Sequence, residues 1–540
     1  LTLEGNSIPC YTFAFAEEVF FMRRFLFAFL ALISFTFLAF AQAKHPFTFE
    51  DMMKLKRVGE PEVSPDGKWV IFSVVDVNLE ANTKTPHIWI VPTAGGQERE
   101  IIADQDADRP RWAPDGKRFA FMSTKEGGSQ VWTAAFDGTA GTVTGAHKLT
   151  SIATEAGGEL WSPDGKNILF TSDVDPGCDG APAEEAACNA KKLEEREKSK
   201  VKALIFDRLL YRHWNAYKEG KRTHIFVVEA PPEVYPSAVA GLTVKYPRDL
   251  TPGDYDAPVF SLGGQDNYAF SPDGQEICYT SNHDKNLAAS TNNDLWIVPV
   301  NPTVIVAGQG QTVYRQQPQA KNITADNPAS DSTPLYSPDG RYIAYRAQQR
   351  PGYESDRFRL MLYDRKTGHK GEVPTETDLN NTWVGTIAWD RDSSRIYFVT
   401  EKQGESPIVV ARMRPGFLEQ DYVGTSHPEM PELISKGFND DLAVTPDGTT
   451  LLFTRMSLRA PAEIYRTIPV NDSCKEKRPV DARREDDCNG IAQLTHLNDD
   501  LLSQISMQPI ESFWFTGAHG DKVEGFLVRP PNSAPSFSDV

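Results

Sequence analysis

The chain has 540 residues, 40% of them hydrophobic and 24% charged, with a formal net charge of -18. That balance excludes a nucleic-acid surface, which needs a basic face, and otherwise indicates solubility. The length exceeds one ordinary domain but suits a ring of repeated units, each completing its neighbour's core.

Residues 1–21 carry no clear element and are expected to be upstream translated sequence or a gene-boundary error. From Met22 the pattern changes: Arg23-Arg24 form a positive start, Phe25 to Phe40 an apolar core, and Ala41-Gln42-Ala43 a small-residue cleavage site. Residues 22–43 therefore read as a signal peptide cut between Ala43 and Lys44, which sends the chain to the periplasm or outside the cell. Membrane contact is then expected only through the signal; the competing reading, an uncleaved anchor, meets an apolar run slightly short of the roughly 20 residues a span needs. Residues 44–59 are a lead-in.

The next 440 or so residues are punctuated by one tetrapeptide. Ser64-Pro65-Asp66-Gly67 recurs as Ala113-Pro114-Asp115-Gly116, Ser162-Pro163-Asp164-Gly165, Ser271-Pro272-Asp273-Gly274, Ser337-Pro338-Asp339-Gly340 and Thr445-Pro446-Asp447-Gly448, with a worn copy at Asp390-Arg391-Asp392-Ser393. This is the residue choice of a type I turn, and apolar strands flank each copy. A third strand follows in most units, such as Ile88-Trp89-Ile90-Val91, and a Leu-Thr or Ile-Thr pair ends four of them, at Leu149, Leu250, Ile323 and Leu494. The first two intervals are 49 residues each and the later ones read as the same unit with insertions. Four short strands repeated seven times predict an all-β fold, a seven-bladed β-propeller over 60–497.

Two insertions interrupt it, at about 173–221 and 471–487. Cys178 and Cys188 lie in the first, Cys474 in the second with Cys488 at its edge, and each pair is expected to form a local disulfide in an oxidising compartment. No Cys or His spacing suggests a metal, no cofactor is expected, and Cys278 reads as a buried free thiol. Residues 190–212 lack Gly and Pro and predict a helix; Glu194-Glu195 read as its solvated face, with a grip on a substrate amino group as the alternative. The stretch that follows interleaves cations and rings: Arg208, Tyr211, Arg212, His213 and Trp214 are candidates for holding a carboxylate or carbonyl of a ligand, or else a structural network of ion pairs and packing. Asn322, Asn380 and Asn471 open glycosylation-type triplets. Residues 498–540 leave the repeat: Glu511 to Gly517 and Val523 to Pro531 predict a hairpin that belongs to no blade.

These features together resemble the prolyl oligopeptidase family of serine peptidases, in particular its exported dipeptidyl peptidases and acylaminoacyl-peptidase-like enzymes. The resemblance rests on the turn repeats behind a signal peptide, on Asp207-Arg208-Leu209-Leu210-Tyr211-Arg212-His213-Trp214 with Gly220-Lys221-Arg222-Thr223-His224, and on Glu511-Ser512-Phe513-Trp514-Phe515-Thr516-Gly517 with Val523 to Pro531. It implies peptide substrates, a propeller that gates them, and a tail that opens an α/β-hydrolase domain, incomplete here. The nucleophile elbow of that domain, Gly-x-Ser-x-Gly, occurs nowhere in the 540 residues, and His519 precedes any place a nucleophile could take. The chain as given is therefore expected to be inactive by itself. A binding propeller of the TolB kind without an enzyme is the second reading, and a propeller glycosidase with paired carboxylates the third. The sequence leaves the oligomeric state open.

Overall fold

The structure is a computed structural model that describes residues 44–230, 246–261, 264–301, 304–307, 312–315, 319–373, 383–413, 418, 432–434, 436–468 and 490–531. The signal-peptide, Cys474–Cys488, Asn380 and Asn471 expectations lie outside these residues.

The repeated tetrapeptide forms the same hydrogen-bonded tip in blade after blade. Ser64 Oγ donates to Asp66 Oδ1 at 2.7 Å and accepts the Trp69 N–H at 3.0 Å, while Asp66 Oδ1 also accepts the Lys68 N–H at 3.1 Å. The copies at Ser162, Ser271, Ser337 and Thr445 repeat this set. Gly67 sits at φ 74°, in the left-handed region that glycine enters without a Cβ penalty. The worn copy places Ser393 there instead, at φ 61°.

These tips also record how the blades are arranged. A Cβ added to Gly116 would stand 3.5 Å from Pro65, one on Gly165 3.7 Å from Pro114, and one on Gly274 3.7 Å from Pro163. The series ends where it began, since a Cβ on Gly67 would stand 3.6 Å from Pro446 of the last tip. The ring therefore closes at seven.

Seven sheets, each with its strands in chain order, fill that ring; the first contains Trp69–Asn78, Thr83–Pro92 and Arg99–Ile102, the last Phe438–Val444, Leu451–Ser457, Ala460–Thr467 and Ala492–Gln493. The core lies between sheets. Because side chains alternate along a strand, Val70 and Phe72 face the last blade, with Leu452 and Ile464, whereas Ile71 faces the second, with Trp112 and Phe119. Three indoles fasten neighbours further: Trp112, Trp161 and Trp389 donate to the carbonyls of Glu62, Arg111 and Leu335 at 3.1–3.2 Å, each in the preceding blade.

The Leu-Thr and Ile-Thr pairs are built for this packing. Leu250 and Leu494 are buried in the seams, and the next residue's hydroxyl serves the third strand: Thr150, Thr251, Thr324 and Thr495 accept the N–H of Val131, Ile225, Leu295 and Ile464, each at 2.9 Å. The Asn322 amide donates to Asp294 at 2.9 Å and its carbonyl accepts the Thr324 N–H. That side chain is engaged inside its blade, which speaks against its reading as a glycan acceptor.

Among the described residues no strand is exchanged between the first and last blades. The ends are clasped instead: Asn498 holds the Lys56 N–H and carbonyl at 2.8 and 3.1 Å, and His45–Pro46 pairs in parallel with Ile505–Ser506. The lead-in contributes more than expected, since Arg57–Val58 already pairs with the strand Trp69–Asn78, and Phe49–Lys54 is a helix capped by Thr48.

The insertion helix is displaced from its predicted span. It runs Pro182–Lys198, not 190–212. Proline is favourable in a first helical turn, where no N–H is needed, so excluding proline placed the start too late. Beyond Lys198, Val201, Leu204 and Ile205 are exposed, and a segment with no apolar face to pack has little to hold it helical.

Candidate functional site

The insertion leaves blade 3 between Asn167–Val174 and Arg222–Glu229, at the Val174–Arg222 end, opposite the tip at Ser162. The chain that follows blade 7 leaves by the same face. Gln493 pairs with Tyr465, and the chain then runs toward the Ser457–Ala460 end of that blade, away from the Thr445 tip. The hairpin Glu511–Thr516 and Lys522–Leu527 stays on this face, with the Phe526 ring over Gly404 in the loop joining two strands of blade 6. Insertion and hairpin thus share one face of the ring.

The insertion is anchored at its base. A disulfide joins Cys178 to Cys188, with Cα atoms 5.5 Å apart. Asp175 receives Lys192 at 2.6 Å and Arg196 at 3.4 Å, so the helix is fixed to the strand end it grew from. Glu194 and Glu195 are exposed and pair with Lys198 and Lys191 of the same helix.

Beyond the helix the chain builds an aromatic shelf. Tyr211 stacks on Phe206 with centroids 4.5 Å apart, and Tyr217 lies 5.7 Å from Phe206. His213 stacks on Phe260 at 4.0 Å and 9°, and Trp214 meets the same ring edge-on at 6.0 Å. A two-residue ladder, Arg212–His213 with Ala216–Tyr217, holds the turn, and Trp214 takes φ 47° at its tip with 64% of its surface exposed. Burial and the Lys218 charge push the His213 imidazole below its ordinary value, against the pull of Asp256.

The cations divide into two kinds. Arg208 is held by Asp254 at 2.6 and 3.1 Å, and Arg222 by the same carboxylate at 2.9 Å, which makes Arg208 part of the scaffold. Arg212 donates to the Trp214 carbonyl in its own turn and lies over the Tyr211 ring, 5.9 Å from its centroid. Its guanidinium is paired with no carboxylate among the described contacts, so of the five predicted residues it is the one whose charge a ligand carboxylate or carbonyl could meet.

Phe206, Tyr217 and Phe260 complete the shelf and were not singled out in sequence. Phe206 and Tyr217 lie within ten residues of the cation-aromatic run, which was the available signal; Phe260 comes from a separate loop and left none. His519 lies in the turn of the terminal hairpin at φ 57°, where the sequence reading put it. Among the described residues no group of His, Cys, Asp or Glu is arranged to hold a metal ion, and no helix is long and apolar enough to cross a membrane.

The resemblance to the prolyl oligopeptidase family drawn from the sequence, and the seven-bladed propeller it implies, hold against known proteins. No family model matches the chain. Among curated proteins it is 28% identical over 493 residues to dipeptidyl-peptidase 5 of Porphyromonas gingivalis, covering 90% of this chain and 61% of that protein. Dipeptidyl-peptidase 5 of Porphyromonas endodontalis is 26% identical over 490 residues, covering 90% and 60%. Acylaminoacyl peptidase of Pyrococcus horikoshii shares the fold, with a TM-score of 0.57 at 16% identity over 89% of this chain and 59% of that one. The chain thus spans about three fifths of the relatives it matches.

Proposed function

We propose that this chain is the substrate-gating propeller of an exported serine exopeptidase that releases dipeptides or blocked amino acids from peptide N-termini. The observation that carries the reading is the shared face: the aromatic shelf stands on the side of the ring where the exit hairpin lies, so a catalytic domain continuing from that hairpin would meet the shelf across a common chamber. The relatives' greater length supports such a continuation, and with no Gly-x-Ser-x-Gly in these residues a nucleophile of that kind would belong to it. In the acyl-enzyme route the nucleophile, its base and the oxyanion donors act together, and the shelf's part is to bind and orient. Phe206, Tyr211, Tyr217 and Phe260 offer apolar ring surface to substrate side chains, and Arg212 offers a donor to a carbonyl or carboxylate. Export is supported by the Cys178–Cys188 disulfide, a bond suited to an oxidising compartment.

The test is product analysis. The complete gene product, incubated with unblocked and N-acetylated peptides, is expected to release dipeptides or the acetylated first residue, read by mass spectrometry. Binding of peptides with no hydrolysis would favour a TolB-like binding propeller instead.

A further inference from the structure

In a ring, residues on blades two positions apart meet only across the central channel. Two consecutive residues of this chain make such contacts. Gln265, just before the innermost strand of blade 4, reaches blade 6: its amide N–H donates to the Ile387 carbonyl at 2.9 Å and its carbonyl accepts the Ile387 N–H at 3.1 Å. Ile387 lies on the innermost strand of its sheet, whose inward edge has no strand partner among the described residues, and the glutamine amide takes the place of one. Asp266 reaches the other way, to blade 2, and accepts from Arg109 Nη2 at 2.6 Å.

The surroundings are built to receive this crossing. The innermost strands carry bulges at this level, with Arg109 at φ 50°, Thr333 at φ 51° and Asp441 at φ 52°, which turn side chains off the sheet. Behind Arg109 stands the fully buried Glu159, a carboxyl oxygen 3.7 Å from its Nε, and Arg111 beside it pairs with Glu60 of blade 1 at 2.5 Å. The next residue, Asn267, accepts the Thr333 N–H of blade 5 at 3.2 Å. Gly264 enters the crossing at φ 80°, a conformation that favours glycine. The crossing enters from the face that carries the aromatic shelf, where Asn267 accepts the Thr280 N–H near the end of Glu276–Ser281 away from the Ser271 tip, and it reaches the middle of the blade 6 strand, where Ile387 stands opposite Phe398.

We infer that Gln265 and Asp266 bolt the axial channel shut on the shelf side, with Arg109 as the catch, and so exclude the bore of the propeller as a path for peptides. Resting on the peptidase reading, this makes the two residues determinants of the route by which a peptide reaches the shelf: around the rim and not through the bore. The geometric claim stands apart from catalysis and is tested apart from it.

Ser332 supplies the reporter, since it is buried in the blade 5 bulge next to Thr333, whose N–H Asn267 accepts. In the complete gene product, S332C is treated with a maleimide carried on a decapeptide, and the chain without S332C gives the background from its native cysteines. Adding Q265A and D266A is expected to speed labelling about tenfold or more, as removal of a local closing interaction does. Q265N, too short by one methylene to reach Ile387, is expected to give the same direction if the double variant does not fold. Rapid labelling of S332C with both bolt residues present, or equal rates in all variants of unchanged melting temperature, would overturn the inference whether or not the protein cleaves peptides.

Discussion

Gly165 shows how much of this molecule is decided by single atoms. It sits at φ 68° with Pro114 of the neighbouring tip 3.7 Å from where a Cβ would go, so the space is available and the backbone conformation is not. Gly165→Ala is expected to destabilise by about 1–2 kcal/mol, the cost of a left-handed L-residue, in urea unfolding. Glu159 makes a different point. Burial, opposed by the Arg109 and Arg111 charges, pushes its carboxyl up to about 8. A carboxyl whose folded value exceeds its unfolded one prefers the neutral form in the native state, so its favourable contribution holds in acid and is lost as pH rises from about 4.5 toward 8. Glu159→Gln should flatten the fall in stability over that window, with the variant gaining on the parent at pH 8; a steeper fall would show that the Arg109 pair governs. At this scale the sequence was legible wherever chemistry repeated. Six tips announced themselves by Pro-Asp-Gly, and the seventh by Asp392 and position. Gln265 and Asp266 did not, because their partners lie 122 and 157 residues away and leave no local pattern.

Among the elements, the insertion was half visible. Its cysteines and its charged helix could be read, but the helix ends could not: Pro182 starts it, and what stops it is the lack of anything to pack against. The disulfide closes a loop with a sequence separation of 10, worth about 2–3 kcal/mol by loop entropy. The substitution C178S with C188S is therefore expected to loosen the insertion, seen as faster proteolysis around residues 199–206, while the ring keeps its melting temperature. The aromatic shelf should respond separately. Arg212→Ala in the complete gene product is expected to raise KM or lower kcat/KM for peptides with no loss of melting temperature, because the side chain bonds only within its own turn; an equal loss of stability would assign it a structural role. Arg208→Ala should do the reverse, since its Asp254 partner also holds Arg222.

For the whole molecule, the core lies in the seams, and among the described residues the closing seam between the last and first blades is held without a shared strand. Phe72, fully buried there, faces Leu452 and Ile464. Phe72→Ala is expected to cost about 3–5 kcal/mol and to broaden thermal unfolding, since a ring opened at one seam loses the neighbour that each blade depends on. The seven-fold architecture could be read from the turn repeat before any contact was known; how the ring was clasped, through Asn498, Lys56 and the pairing at His45, could not, because its partners are the two ends of the propeller. The peptidase reading rests on what meets the ring's open face. Its most direct test is to treat the complete gene product with a fluorophosphonate probe and map the modified residue by mass spectrometry. A single serine labelled in a Gly-x-Ser-x-Gly turn outside residues 44–531, with loss of dipeptide release on labelling, is the expected result. A complete gene product that takes up no probe and releases no dipeptide would contradict it.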